Sequence, residues 1–194
     1  IAHNLAKPTD VIIPTHFVDS LAGKLMKKKC KFHRIDGLHG HIHLHPHIRP
    51  SSISNPPKVM VRRLIGNGIH DTGEVLEIPD NWLDGLELTN ADENRVEGNP
   101  WELINTVSKM NGVITQSVTL ASEAVLLGVP TLLVSKARRG FLDRLVSDGY
   151  PLFIAREHDE VILASWLAGL HLTDELVEPE WPDTKSDFID FIKN

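Results

Sequence analysis

Between Asn111 and Ser135 the chain reads NGVITQSVTLASEAVLLGVPTLLVS, and no other stretch limits the fold so tightly. The apolar run at 113–115, halted by polar Gln116 and Ser117, predicts a short buried strand ending in a turn. Residues 119–127 predict a helix, which Gly128-Val129-Pro130 stops before a second apolar strand at 131–134. Strand, helix and strand joined this tightly are a building unit of parallel α/β sheets. Ser117 and Thr119 fall where the helix begins, so their hydroxyls can cap open amides. Ser122 and Glu123 follow within the first turn or two, near the positive end of the helix dipole. A hydroxyl-rich turn, a helix N-terminus and a carboxylate together make a cradle for a phosphorylated, ribose-bearing ligand. Plain capping and an ordinary helix-to-strand stop account for the same residues without a ligand. Local chemistry leaves both readings open.

The residue order adds to this. Thr115, Ser117, Glu123-Ala124 and Gly128-x-Pro130, at this spacing, resemble the nucleotide-sugar motif of UDP-N-acetylglucosamine 2-epimerase and its GT-B glycosyltransferase relatives. The likeness is strongest to an uncharacterised prokaryotic family of epimerase-like proteins. It implies a Rossmann-like three-layer α/β sandwich of GT-B type, with Ser117 at the diphosphate and Glu123 on the ribose hydroxyls of a UDP-sugar. Epimerisation in that family needs no metal. Those proteins usually carry two glycines directly after the serine, where this chain has Val118 and Thr119. A β-branched residue limits the backbone angles and fills space that glycine leaves open. Phosphate binding would then rest on the Thr119 hydroxyl, or the site has lost its activity.

The resemblance spans residues 7–154, too little for two complete Rossmann-type domains. The chain starts at Ile1, and a fragment with an incomplete N-terminal domain is expected. Lys7-Pro8-x-Asp10 before an apolar strand resembles a late strand of that domain. Thr15, His16 and Asp19 then lie at the strand's carboxyl end, where open parallel sheets bind ligands. The expected division is 1–45 as the remnant of the first domain, 46–57 as a linker, and 58–194 as the nucleotide-sugar-binding domain.

Composition excludes several classes. A content of 41% hydrophobic and 24% charged residues is that of a water-soluble globular chain. No apolar run approaches bilayer length, and no signal-peptide pattern opens the chain. The single Cys30 rules out an internal disulfide and suits a reducing cytoplasm. Residues 1–50 hold eight Lys and Arg against three Asp, a balance of +5, which leaves −11 for the rest of a chain whose total is −6. The basic cluster at Lys24, Lys27, Lys28, Lys29, Lys31 and Arg34 lacks interleaved aromatics, so a solvated helix end is favoured over nucleic-acid binding.

Along the chain, strands are expected at 10–14, 31–35, 59–63, 75–78 and 151–154, beside the two above. Helices are expected at 17–28, 101–110, 141–147, 159–167 and 187–193, with loops at 84–99 and 135–140. Residues 39–57 contain Pro46, Pro50, Pro56 and Pro57 and read as irregular.

Six of the eleven histidines lie between His33 and His47. In an extended chain the alternating His39, His41, His43, His45 and His47 would share one face. Such imidazoles could bind zinc, with His41, His43 and His45 as ligands, or line a cleft between domains. The loop Gly66-Asn67-Gly68-Ile69-His70-Asp71 could cradle phosphate and offers His70 as the catalytic candidate. Lys136, Arg138 and Arg139 follow the 131–134 strand, and Arg138 is a candidate for the diphosphate. The first function expected is a UDP-sugar-binding protein, epimerase-like or glycosyltransferase-like, which could work as a homodimer. The alternatives are a non-catalytic module of the same fold and a zinc-binding protein.

Overall fold

The computed structural model describes residues 9–15, 30–44, 53–65, 75–92, 102–171 and 181–193. In chain order the first elements are β1 (Asp10–Pro14), β2 (Lys31–Ile35), α1 (His39–His43), β3 (Lys58–Arg62), β4 (Glu87–Asn90) and α2 (Leu103–Val107). There follow β5 (Gly112–Thr115), α3 (Val118–Leu126), β6 (Thr131–Val134), α4 (Gly140–Ser147), β7 (Leu152–Ala155), α5 (Glu160–His171) and α6 (Thr184–Lys193). Two compact units form, residues 1–43 with 180–194, and residues 44–179.

In the first unit β1 and β2 pair in parallel, with Ile12 opposite His33 and Pro14 opposite Ile35. Helix α6 belongs to this unit and sets Phe191 against the His33 ring, 4.4 Å between centroids. Just before α6, Trp181 meets the buried His41 ring edge-on at 4.7 Å. Gly37 has φ +89°, and a Cβ there would fall on the Thr184 hydroxyl. Only glycine serves where the backbone turns left-handed against a neighbour this close.

The second unit is a five-stranded sheet in the order β4-β3-β5-β6-β7, parallel at every pairing and flanked by helices. It is an α/β sheet of Rossmann-like kind. Parallel strands covered on both faces need continuous apolar sequence, and every residue of β5 and β6 is buried. Val59, Ile114, Leu132, Val134, Trp82 and Trp166 are core members. Each large apolar side chain so buried contributes about 1.5–3 kcal/mol. Helix α3 turns Leu120, Ala121, Ala124 and Val125 inward. It ends at Gly128, φ +74°, where the Val129 amide donates to Ala124 O and the Gly128 amide to Val125 O. This pair of bonds is a Schellman stop, so the chain leaves α3 already aimed into β6.

The strands expected at 10–14, 31–35 and 131–134 form as read, and the other elements of the second unit shift by a few residues at their ends. Three expectations are corrected. Residues 75–78 form no ladder: Val75 makes one antiparallel bridge to Ser135, and the segment runs across strand ends. The stretch 84–99, read as loop, contains β4, whose Glu87, Leu88 and Asn90 are exposed. An edge strand with little to bury carries no apolar pattern. His39, His41 and His43 are not extended, because His39–His43 is a helical turn, while His45 and His47 lie outside the described residues. The helix expected at 17–28 and the loop at 66–71 lie outside the described residues.

Candidate functional site

Strand β3 lies inside the sheet, with β4 on one side and β5 on the other. The connections leaving β3 and β5 therefore diverge at the carboxyl edge and open a crevice, where sheets of this kind bind their ligands. The Thr115-Gln116-Ser117 turn and the start of α3 stand at that point.

The turn is held from within. The Ser117 amide donates to Thr115 Oγ1 at 2.9 Å, and Ser117 Oγ accepts from the Leu120 amide at 3.3 Å, so Ser117 is the N-cap of α3. The Ala121 amide opens the helical ladder on Ser117 O. Among the described residues no acceptor meets the amides of Val118 and Thr119. Two donors thus point outward at the positive end of the helix. Thr119 is exposed, while Ser122 and Glu123 are half-buried. Spacings of three and four residues place Thr119, Ser122 and Glu123 on one face, opposite the buried alanines. The Ser122 hydroxyl donates to Thr119 O at 2.8 Å.

Gln116 pins neighbouring chain to the end of β5. Its side chain is buried, accepts from the Leu64 amide at 2.7 Å and donates to Leu76 O at 2.5 Å. It thereby ties β5 to the chain on both sides of residues 66–74. Beyond Leu76, Glu77 O contacts His158 Nε2 at 3.1 Å, and Trp82 Nε1 donates to Glu160 at 3.0 Å. Residues 75–78 thus cross the carboxyl ends of β5, β6 and β7 and cover that part of the edge.

A basic pair closes β3. Arg62 donates to Ala91 O at 3.1 Å; the Arg63 amide reaches Asp92 Oδ1 at 2.7 Å, and its guanidinium lies 3.4 Å from Asp92 Oδ2. Gln116, Arg62 and Arg63 were not singled out from sequence. Two arginines ending an apolar strand just before the sequence Gly66-Asn67-Gly68 were the available signal.

The structure brings Ser117, Thr119, Ser122 and Glu123 together on one helix. Arg138 is exposed in the loop that leaves β6, the strand beside β5. That loop is steadied by Arg156, which donates to Ala137 O. Thr15 belongs to the first unit, where its hydroxyl donates to Asp36 at 3.2 Å. His16, His45 and His70 lie outside the described residues. Of the proposed zinc ligands, His41 is buried with Nδ1 accepting from the Leu38 amide at 2.8 Å, and His43 is exposed on another side of α1. Among the described residues no group of three or more His, Cys, Asp or Glu is placed to hold a metal ion. No helix among them is long and apolar enough to cross a membrane.

No protein-family model, no curated protein and no solved structure matches the chain.

Proposed function

We propose that the second unit is a nucleotide-sugar-binding domain of GT-B type that holds a UDP-sugar by its diphosphate and ribose. One observation carries this reading: the strand order reverses at the point where α3 starts, and the Val118 and Thr119 amides emerge there. A diphosphate set against those amides and the Thr119 hydroxyl meets the positive end of α3. Glu123, one turn further on, accepts from the ribose hydroxyls. Arg138 offers a balancing charge from the neighbouring loop. The reading needs no metal.

Epimerisation of such a substrate removes a proton beside the leaving UDP, so it requires a base at the sugar. His70 is the candidate base, and it follows β3 in the chain. The same donors serve a glycosyltransferase, in which the nucleotide is again the leaving group.

A second reading, a non-catalytic module that binds the nucleotide loosely, is favoured by Val118 and Thr119 standing where backbone access would call for glycines. Thermal unfolding with UDP, UDP-N-acetylglucosamine, GDP and ADP tests the nucleotide. A ligand at 100 times its dissociation constant adds about 2.7 kcal/mol when it binds only the folded state. The expected outcome is UDP-selective stabilisation that Glu123→Ala weakens. Equal, small shifts with every nucleotide, unchanged by that substitution, would reject a ribose-reading site.

A further inference from the structure

The five-stranded sheet ends on two unlike edges. At one, β4 exposes Glu87, Leu88 and Asn90, with Glu87 3.8 Å from Lys58. A charged edge of this kind resists pairing with a further strand. At the other, β7 reads Leu152-Phe153-Ile154-Ala155 and carries no charge. The Thr131 and Ser135 amides donate to Pro151 O and Ala155 O, so by alternation the backbone groups of Leu152 and Ile154 face away from β6. The Leu152 amide turns back to Tyr150 O at 2.7 Å. Among the described residues nothing meets the Ile154 amide or the Leu152 and Ile154 carbonyls. The Phe153 ring sits against Gly169 of α5, while Arg156 reaches Asp143 of α4 at 3.6 Å. Odd and even residues of a strand face opposite ways, so the two helices cover opposite faces of β7. A groove of about 440 Å³ runs along Leu152, Phe153 and Ile154, walled by Val146 of α4 and Ile162 of α5. Beside it Val146 is 47% and Val161 73% exposed.

We propose that this groove docks a second copy of the chain, β7 pairing antiparallel with its own counterpart about a two-fold axis at Ile154. The occupant has to be extended, uncharged and apolar, and residues 152–155 are themselves such a segment. The open backbone groups complement one another under that symmetry. Each Ile154 amide donates to the Ile154 carbonyl of the other copy, and each Arg156 amide to its Leu152 carbonyl. Charge agrees as well. Helix α4 runs back along β7, with Asp143 at the Arg156 level and Ser147 lining the groove beside Leu152. The Arg156 end of one strand therefore meets the α4 C-terminus of the other copy. Asp148, shared there with Arg144, and the negative end of the helix complement the guanidinium. An isologous contact of this kind closes on itself and leaves no further edge on that side.

The test is sedimentation equilibrium of the full chain over a concentration series, with amide hydrogen exchange at its two ends. A reversible monomer–dimer equilibrium is expected. Exchange at Ile154 should slow as the dimer fills, while the Leu88 amide on the opposite edge keeps its rate. Ile154→Pro deletes the outward amide at an edge position, where proline is tolerated. Val146→Glu sets a charge on the groove wall at an exposed helix position, and stands in if Ile154→Pro fails to fold by circular dichroism. Each should weaken the dimer ~10-fold or more, since the loss is repeated on both sides of the axis. Leu88→Glu should leave it unchanged. A chain that stays monomeric would overturn the proposal and leave the groove to an extended segment of another protein. A dimer indifferent to Val146→Glu, or weakened equally by Leu88→Glu, would overturn it too.

Discussion

At Gly37 a left-handed backbone sits against the Thr184 hydroxyl, and two substitutions test that contact from its two sides. Gly37→Ala places a methyl group on Thr184 and should destabilise the first unit by about 1–3 kcal/mol, the usual cost of overpacking. Faster amide exchange along α6 would report it. Thr184→Val removes a buried hydroxyl that has no hydrogen-bond partner among the described residues. It should raise stability by about 1 kcal/mol in urea unfolding, because an unsatisfied buried hydroxyl costs free energy that a methyl group does not. At this scale the sequence was informative where chemistry is local. Ser117 caps α3 as its position announced, since a serine before an apolar helical run needs only its own neighbours to act. Gln116 was opaque, because its partners Leu64 and Leu76 lie 52 and 40 residues away.

Elements were legible in proportion to how much they bury. Strands β5 and β6 are apolar throughout and were located almost to the residue. Strand β4 was missed because an edge strand with exposed Glu87, Leu88 and Asn90 reads as loop. Residues 75–78 misled in the opposite direction: their Val, Leu and Ile follow from covering strand ends, with Ile78 in the core. The histidine run misled by period, since alternate histidines suggest an extended chain and α1 is helical instead. Gln116 is what links these elements around the crevice. Gln116→Glu keeps the acceptor for Leu64 and loses the donor to Leu76, leaving a carbonyl without its partner. Stability should drop by about 1–3 kcal/mol at neutral pH, the cost of an unmade buried hydrogen bond. Hydrogen exchange should rise in residues 75–78. An unchanged urea midpoint would contradict the pinning role.

At the scale of the whole molecule, the two units carry different pH limits. In the first, the hydrogen bond from His33 to Asp10, 2.8 Å long, holds the Asp10 carboxyl below its ordinary value. A lowered carboxyl stabilises the fold above its unfolded pKa, and the contribution disappears as pH falls through the folded one. Acid should therefore loosen the β1–β2 unit below pH 3.8, and Asp10→Asn should flatten that dependence. In the second unit, burial and then the nearby Asp148 push the Tyr150 phenol up to about 12 from 10.0. Its contribution is complete below the unfolded value and lost as pH rises from there towards 12. Tyr150→Phe should remove that alkaline slope, with exchange in β7 as the readout. Which unit the C-terminal helix joins was not written in its own pattern, because the contacts to His33 and Gly37 span most of the chain.

The proposed binding of a nucleoside diphosphate at the start of α3, where the strand order of the five-stranded sheet reverses, has a residue-resolved signature. Amide chemical-shift mapping of the isotope-labelled chain, titrated with UDP, addresses it most directly. Saturable shifts that are largest at Val118 and Thr119 and reach Glu123 are expected. Saturation with its largest shifts elsewhere, or no saturation at all, would contradict it.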